Sequence, residues 1–354
     1  MIKYSSSICV LRLSALGDCI NAFGMMGALK KKYPELSILW ILDKRFSSLF
    51  RNSKGEDLIP LMPVDFSNGI LKAIKDLKTN LSGRSFDALL NMQTSLKSSL
   101  CSLAVKADLK YGYDSQRSRE GQCFFVNRKV PSPENPHVLA GFMAFAEHMG
   151  FKLQEPYWDF KLSEEELAPY ENISKEKKLF VISPASAKTQ KNWTSEGYAA
   201  LADHAFSRGF QTVLVGSTSP KEQELCNKIM QISRAHCTNL CGKTSLRALA
   251  ALISKADVIL SPDSAAMHLA SALKVPVIGL FAVHDPKRVG SWTFPSLQVS
   301  VYNALAQKEC REKSIPWRYR VKDEKAMENI TVNAVISQFD KASEMKSSSL
   351  LKYS

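Results

Sequence analysis

Along the second half of the chain, short apolar runs alternate with stretches of helical period. Leu179 to Ser183 reads as a strand, and Ser195 to Arg208 carries Tyr198, Leu201, Ala202, Ala205 and Phe206 at helical spacing before stopping at Gly209. A strand is predicted over Phe210 to Val215, a helix over Pro220 to Ile232, a short strand near Asn239 and a helix over Ser245 to Ala256. Val258 to Leu260, Ser264 to Leu273 and Pro276 to Phe281 complete the series as strand, helix and strand. Strict alternation of this kind predicts a parallel sheet with helices on both faces.

The first half repeats the theme, with strands over Ile8 to Leu13, Ile38 to Leu42 and Ala88 to Met92 and helices over Cys19 to Tyr33, Ile70 to Leu81 and Leu96 to Val105. The expected architecture is α/β, with two facing Rossmann-like doubly wound domains at 1–153 and 179–345. A linker rich in Glu, Lys and Pro is expected over 154–178, and a frayed Ser/Lys tail over 346–354. Ligands of such sheets bind beyond the carboxyl ends of the strands, so the chemistry is sought in the loops that follow them.

Composition narrows the partner. The 354 residues carry 47 Lys and Arg against 34 Asp and Glu, a formal charge of +13, which favours an anionic ligand or surface. The basic residues are dispersed along the chain, unlike the stripe of a nucleic-acid binder, and no partner of that class is expected. The first apolar stretch is broken by Arg12 and Asp18, and no long segment is free of charge, so neither a secretory signal nor a membrane span is read and a cytoplasmic location is expected. Eight Cys form no CxxC pair, and His236, Cys237 and Cys241 lack a fourth ligand at zinc spacing, so no metal is expected.

Three loops can carry chemistry. In Ser14-Ala15-Leu16-Gly17-Asp18, the carboxylate is either a helix cap or a general base. Ser183 to Trp193 offers the Ser186 hydroxyl and the Lys191 cation to a phosphate, unless it is simply a solvated basic loop. In Ser261-Pro262-Asp263-Ser264-Ala265-Ala266-Met267-His268, a helix opens directly after a strand. Its free N–H groups make an anion site toward which His268 leans, although a core histidine is the alternative. Gly242-Lys243-Thr244 resembles the end of a phosphate-binding loop, but Cys237 stands where the first Gly is needed, and Thr244 or Ser245 reads as a helix cap. No GxGxxG, GxSxG or DxD is present, which removes dinucleotide oxidoreductases, hydrolase elbows and a common metal site of sugar-transfer enzymes.

Taken together, Leu11 to Asp18, Asn91 to Ser98, Ser186 to Trp193, Gly242 to Leu246 and Asp263 to Leu269 resemble the ADP-heptose:lipopolysaccharide heptosyltransferases, in order and spacing over nearly the whole chain. The resemblance implies the GT-B glycosyltransferase architecture and an inverting transfer of heptose from ADP-heptose to Kdo on lipid A, without a cofactor or metal. It implies Asp18 as base, and Ser186, Lys191, Thr244, Asp263, Ser264, Ala265, Ala266 and His268 on the donor. Glu222 is the nearest candidate for the ribose, and Lys97, Arg117 and Arg119 would meet the acceptor. Ala265 departs from the family's frequent Gly. Partners implied are the lipid acceptor and the cytoplasmic face of the inner membrane. A protein or a later core heptose as acceptor, and a non-catalytic nucleic-acid binder, are the competing readings.

Overall fold

The computed structural model describes residues 6–311 and 313–350, and the chain divides into two compact units, Met1–Lys161 and Leu162–Ser354. Unit 1 runs β1 (Ser7–Leu11), α1 (Leu16–Lys32), β2 (Ser37–Asp43), β3 (Leu61–Val64), α2 (Ile70–Asn80), β4 (Phe86–Asn91), α3 (Leu96–Ser102), β5 (Ala107–Tyr113), β6 (Arg128–Val130) and α4 (Val138–His148). Its six strands are parallel in the order β3-β2-β1-β4-β5-β6.

Unit 2 begins with α5 (Glu164–Glu176) and continues β7 (Lys178–Ile182), α6 (Ser195–Ser207), β8 (Phe210–Leu214), α7 (Pro220–Ile232), β9 (Thr238–Asn239), α8 (Leu246–Lys255) and β10 (Val258–Pro262). It closes with α9 (Ala265–Ala272), β11 (Val277–Phe281), α10 (Pro286–Val289), β12 (Val299–Ser300), α11 (Tyr302–Glu309) and α12 (Val332–Leu350). Its sheet, β12-β11-β10-β7-β8-β9, is again all parallel.

Counted from each unit's own first strand, both orders are 3-2-1-4-5-6, the doubly wound arrangement. Its reversal falls between the first and fourth strands, β1/β4 in one unit and β7/β10 in the other. The central strands are apolar throughout because helices cover both faces: Ile8 to Leu11, Leu179 to Ile182 and Val258 to Leu260 are fully buried.

The segment expected as a linker contains the division between the units, which falls after Lys161. Its first part lies on α1, where Trp158 Nε1 donates to Ile20 O at 2.7 Å and the Tyr157 N–H to Gly24 O at 2.9 Å. A Cβ at Gly24 would overlap the Trp158 indole, so only glycine admits this crossing. Phe160 is buried against Phe23, with ring centroids 5.3 Å apart. The second part is helix α5, opened by a capping box in which Ser163 Oγ accepts from the Glu166 N–H and Glu166 Oε2 from the Ser163 N–H. Glu166 also pairs with Arg247 of α8, which holds α5 on unit 2. Of the expected tail, residues up to Leu350 belong to α12, and residues 351–354 lie outside the described residues.

Candidate active site

In unit 1 the loop after β1 leads into α1 with Ala15 as the N-cap, which has no side-chain oxygen to offer. Asp18 therefore does not cap the helix. It sits at the third helical position, where the helix dipole favours a negative charge, with its side chain 30% exposed. Its carboxylate pairs with Arg12, a residue the sequence reading passed over. Arg12 is nearly buried, donates from Nη1 to Met92 O at 2.5 Å and lies over the Phe142 ring at 5.3 Å.

The neighbouring loop, after β4, is pinned to the first by Gln93. Its Oε1 accepts from the Leu13 and Ser14 N–H groups at 2.9 and 3.1 Å, and its Nε2 donates to Ser95 Oγ at 3.0 Å. Gln122 adds bonds from its amide to Asn91 O and Gln93 O.

The three acceptor candidates separate. Lys97 lies in the first turn of α3 with Nζ 4.0 Å above the Phe66 ring. Arg119 is exposed, and its Nη1 donates to Gln116 O and Ser118 O. Arg117 is buried at 4% exposure, donates to Val130 O at 2.8 Å, pairs with Asp114 at 3.3 Å and stacks on Tyr113. Arg117 and Arg119 do not point to the same side of their loop. Asp114 accepts from the Arg117 and Ser118 N–H groups and turns the chain, so Arg117 points in and Arg119 out. Arg117 braces the framework.

In unit 2 the loops after β7 and β10 meet through charge. Lys191 Nζ donates to Asp263 O at 2.6 Å and lies 3.1 Å from Asp263 Oδ2, while His284 Nδ1 lies 2.6 Å from the same Oδ2 and His268 Nε2 3.9 Å from Oδ1. Burial works against ionisation of Asp263, yet the His284 hydrogen bond and the charge of Lys191 outweigh it and hold the carboxyl well below its usual range. The ring of His284 is held below its ordinary value chiefly by burial, against the opposing pull of Asp263. The neutral ring therefore donates from Nδ1 to an ionised Asp263. His284 was absent from the sequence reading; its only signal was its position three residues past a strand.

The Ser186 N–H donates to Asn192 Oδ1 and its Oγ to Lys188 O, so this hydroxyl fastens the loop that carries Lys191. Gln190 Nε2 ties the same loop to Val321 O and Asp323 O, and Trp193 Nε1 to Ile330 O. Lys188 is pushed below its usual range first by the charge of Arg320, then by burial and by Lys191. Three cations thus share this end of the unit, a strong positive potential for an anion.

Ser264 is the N-cap of α9 with its Oγ 2.7 Å from Ser261 Oγ, and the N–H groups of Ala265 and Ala266 in the first turn have no intrahelical acceptor. His268 is buried one turn further on. Glu222, in the first turn of α7, accepts from the Ser217 N–H at 2.7 Å. A Cβ at Gly216 would stand 3.1 Å from Glu222 Oε2 and 2.6 Å from Cys241 Sγ, so glycine clears the space beside that carboxylate. Thr244 lies just before α8, whose cap is Ser245, accepting from the Ala248 N–H. Among the described residues no three His, Cys, Asp or Glu gather as a metal set.

Two doubly wound units of this strand order make up the fold of the GT-B class. Glycosyltransferase family 9 (heptosyltransferase) matches residues 74–318, and the chain belongs to that family. It is 40% identical to the lipopolysaccharide core heptosyltransferase OpsX of Haemophilus influenzae, over 95% of this chain and 96% of that one. Its fold is that of a family 9 glycosyltransferase from Veillonella parvula, at TM-score 0.73, 18% identity and 96% coverage of both chains. The E. coli heptosyltransferase WaaC, solved with ADP, matches at TM-score 0.72 and 20% identity, covering 95% of this chain and 99% of that one.

Proposed function

We propose that this enzyme transfers heptose from ADP-heptose to the lipopolysaccharide inner core, with Kdo of Kdo-lipid A as acceptor and inversion at the anomeric carbon. The observation that carries the reading is the pair of switch-point acids in contrasting settings: Asp18, part exposed with one cationic partner, and Asp263, buried and locked by Lys191 and His284.

In the step that follows, the acceptor oxygen forms a bond to the anomeric carbon while the bond from that carbon to the β-phosphate oxygen breaks. The hydroxyl proton goes to an Asp18 carboxylate oxygen, and the electron pair of the broken bond leaves with ADP. Charge growing on the leaving diphosphate is met by Lys191 and by the first-turn N–H groups of Ala265 and Ala266. Asp263 fixes Lys191 and is itself available to a sugar hydroxyl, Glu222 suits a ribose diol, and Lys97 and Arg119 suit the carboxylate of Kdo. With this positive potential supplied by the protein, the step draws on no metal. The anionic lipid acceptor implies work at the cytoplasmic membrane face, and no helix among the described residues is long and apolar enough to cross a membrane.

Mass spectrometry and NMR of products made from ADP-heptose and defined acceptors test this reading. Heptosylated Kdo with inverted configuration is expected. Transfer only to an already heptosylated core or to protein, or retention of configuration, would overturn the corresponding part.

A further inference from the structure

Helix α3 is built inside out. A helix covering a sheet normally buries its apolar stripe and exposes its polar one. Here Ser98, Ser99, Cys101 and Ser102 are buried, with Ser98 Oγ donating to Asn91 Oδ1 at 2.7 Å and Ser102 Oγ to Ser99 O at 2.5 Å. Leu96 and Leu103, seven positions apart and so on one helical face, are 48% and 61% exposed, with half-buried Leu100 between them. Leu103 keeps helical dihedrals, so the stripe is continuous.

Two neighbours extend it. Glu120 Oε2 accepts from the Leu96 N–H at 2.7 Å, which draws the loop preceding the 122–124 turn to the start of α3, and Phe124 of that turn is 88% exposed. Helix α2 packs beside α3 and turns Leu71 outward at 81% exposure. Large apolar side chains gathered on one exposed region mark an interaction surface.

Charge identifies what covers it. Residues 67–130 hold eleven Lys and Arg against five Asp and Glu; Lys75 and Lys78 are exposed on the face of α2 that carries Leu71, and Lys106 and Arg119 are exposed as well. A second copy of this chain would bring the same positive rim against itself. An apolar layer beneath an anionic one answers both features. We infer that the outer face of α3, with Leu71 and Phe124, seats unit 1 on the surface of an anionic lipid bilayer. The surface adjoins Lys97 and Arg119, so a lipid-anchored acceptor held there keeps its acyl chains in the membrane; this last link rests on the function proposed above.

The test is flotation of the full chain with vesicles of phosphatidylethanolamine and phosphatidylglycerol, against vesicles of phosphatidylcholine. The parent should float with the anionic vesicles. The triple variant Leu96→Gln, Leu103→Gln, Phe124→Gln should bind them at least about tenfold more weakly, with an unchanged circular dichroism spectrum and unchanged turnover of a deacylated, water-soluble acceptor. Phe124→Gln alone, at a site too exposed to matter for folding, should give a smaller loss in the same direction. Equal flotation of parent and variants would overturn the inference. So would a parent that ignores both vesicles and instead forms a dimer, by light scattering, that the same substitutions dissociate. Absence of sugar transfer to any acceptor, with flotation as expected, would refute the function proposed above and leave the surface standing.

Discussion

The two units share one strand order, and each places an acid and a cation beside its switch point, yet the two pairs are set differently. In unit 1, Asp18 holds Arg12 with a third of its side chain open. In unit 2, Asp263 is 13% exposed and carries Lys191, His284 and a more distant His268 around it. An acid that must take a proton needs a free oxygen and few partners, whereas an acid that must hold a cation in place gains from burial and from several. Fold alone does not separate the two acids; the number of partners and the access do.

The largest effect should come from Asp18→Asn. Turnover should fall by roughly 10² to 10⁴, with a smaller loss of melting temperature than at Asp263, because the part-exposed amide can still accept from Arg12, which keeps its bond to Met92 O; near-normal turnover would end its role as base. Next comes Asp263→Asn, which leaves Lys191 in a buried site without a counter-charge. Stability should drop by about 3–5 kcal/mol in denaturant titration, and ADP affinity should fall with it. If Asp263 behaves like Asp18 instead, losing rate and little stability, the contrast between the units fails.

Lys191→Ala should weaken both ADP affinity and turnover, with the greater loss in turnover, since charge on the leaving group grows toward the transition state. Calorimetry with ADP beside steady-state kinetics separates the two. His284→Gln gives a smaller signal in pH. The folded chain favours the neutral ring, while the unfolded chain takes up a proton near the ordinary value of about 6.5. The contribution of His284 to stability is therefore full above that pH and declines below it. Between about pH 7.5 and about 5.5 the melting temperature of the parent should fall more than that of the variant. Equal slopes would show that the ring titrates alike in both states.

The smallest effect separates two residues two positions apart. Arg117→Ala should lower the melting temperature through its lost bonds to Asp114 and Val130 O. Arg119→Ala should leave stability unchanged and raise the acceptor KM, with ADP affinity intact. Normal acceptor kinetics in the second variant would remove Arg119 from the acceptor site.

The alternation of apolar runs made both sheets readable, because parallel strands buried on both faces leave unbroken hydrophobic segments. The loops at the switch points were readable because small residues and charges follow those strands directly. What stayed hidden has physical causes. Helix α5, inside the expected linker, has a low apolar content and so no hydrophobic stripe to announce it, although Ser163 and Glu166 spell its capping box. Arg12 sits inside an apolar strand run, where its pairing with Asp18 depends on a helix turning back over it. The inward turn of Arg117 depends on Asp114, whose side chain decides the loop's course without any periodic signal. His284 acquires meaning only when β11 delivers it beside a carboxylate 21 residues earlier in the chain.

The bonds that hold the Lys191 loop have a bearing on the order in which the protein is made. Gln190 and Trp193 are held by carbonyls of Val321, Asp323 and Ile330, and the Phe339 ring of α12 lies against Phe180 and Phe210 of the central strands. Unit 1 has its whole sheet once residue 130 has been synthesised and can fold while translation continues. Unit 2 cannot complete the loop bearing Lys191 until a segment about 130 residues downstream has left the ribosome. A messenger truncated a few dozen codons short would thus yield a chain with Asp18, Lys191 and Asp263 all present and the loop around Lys191 unfinished.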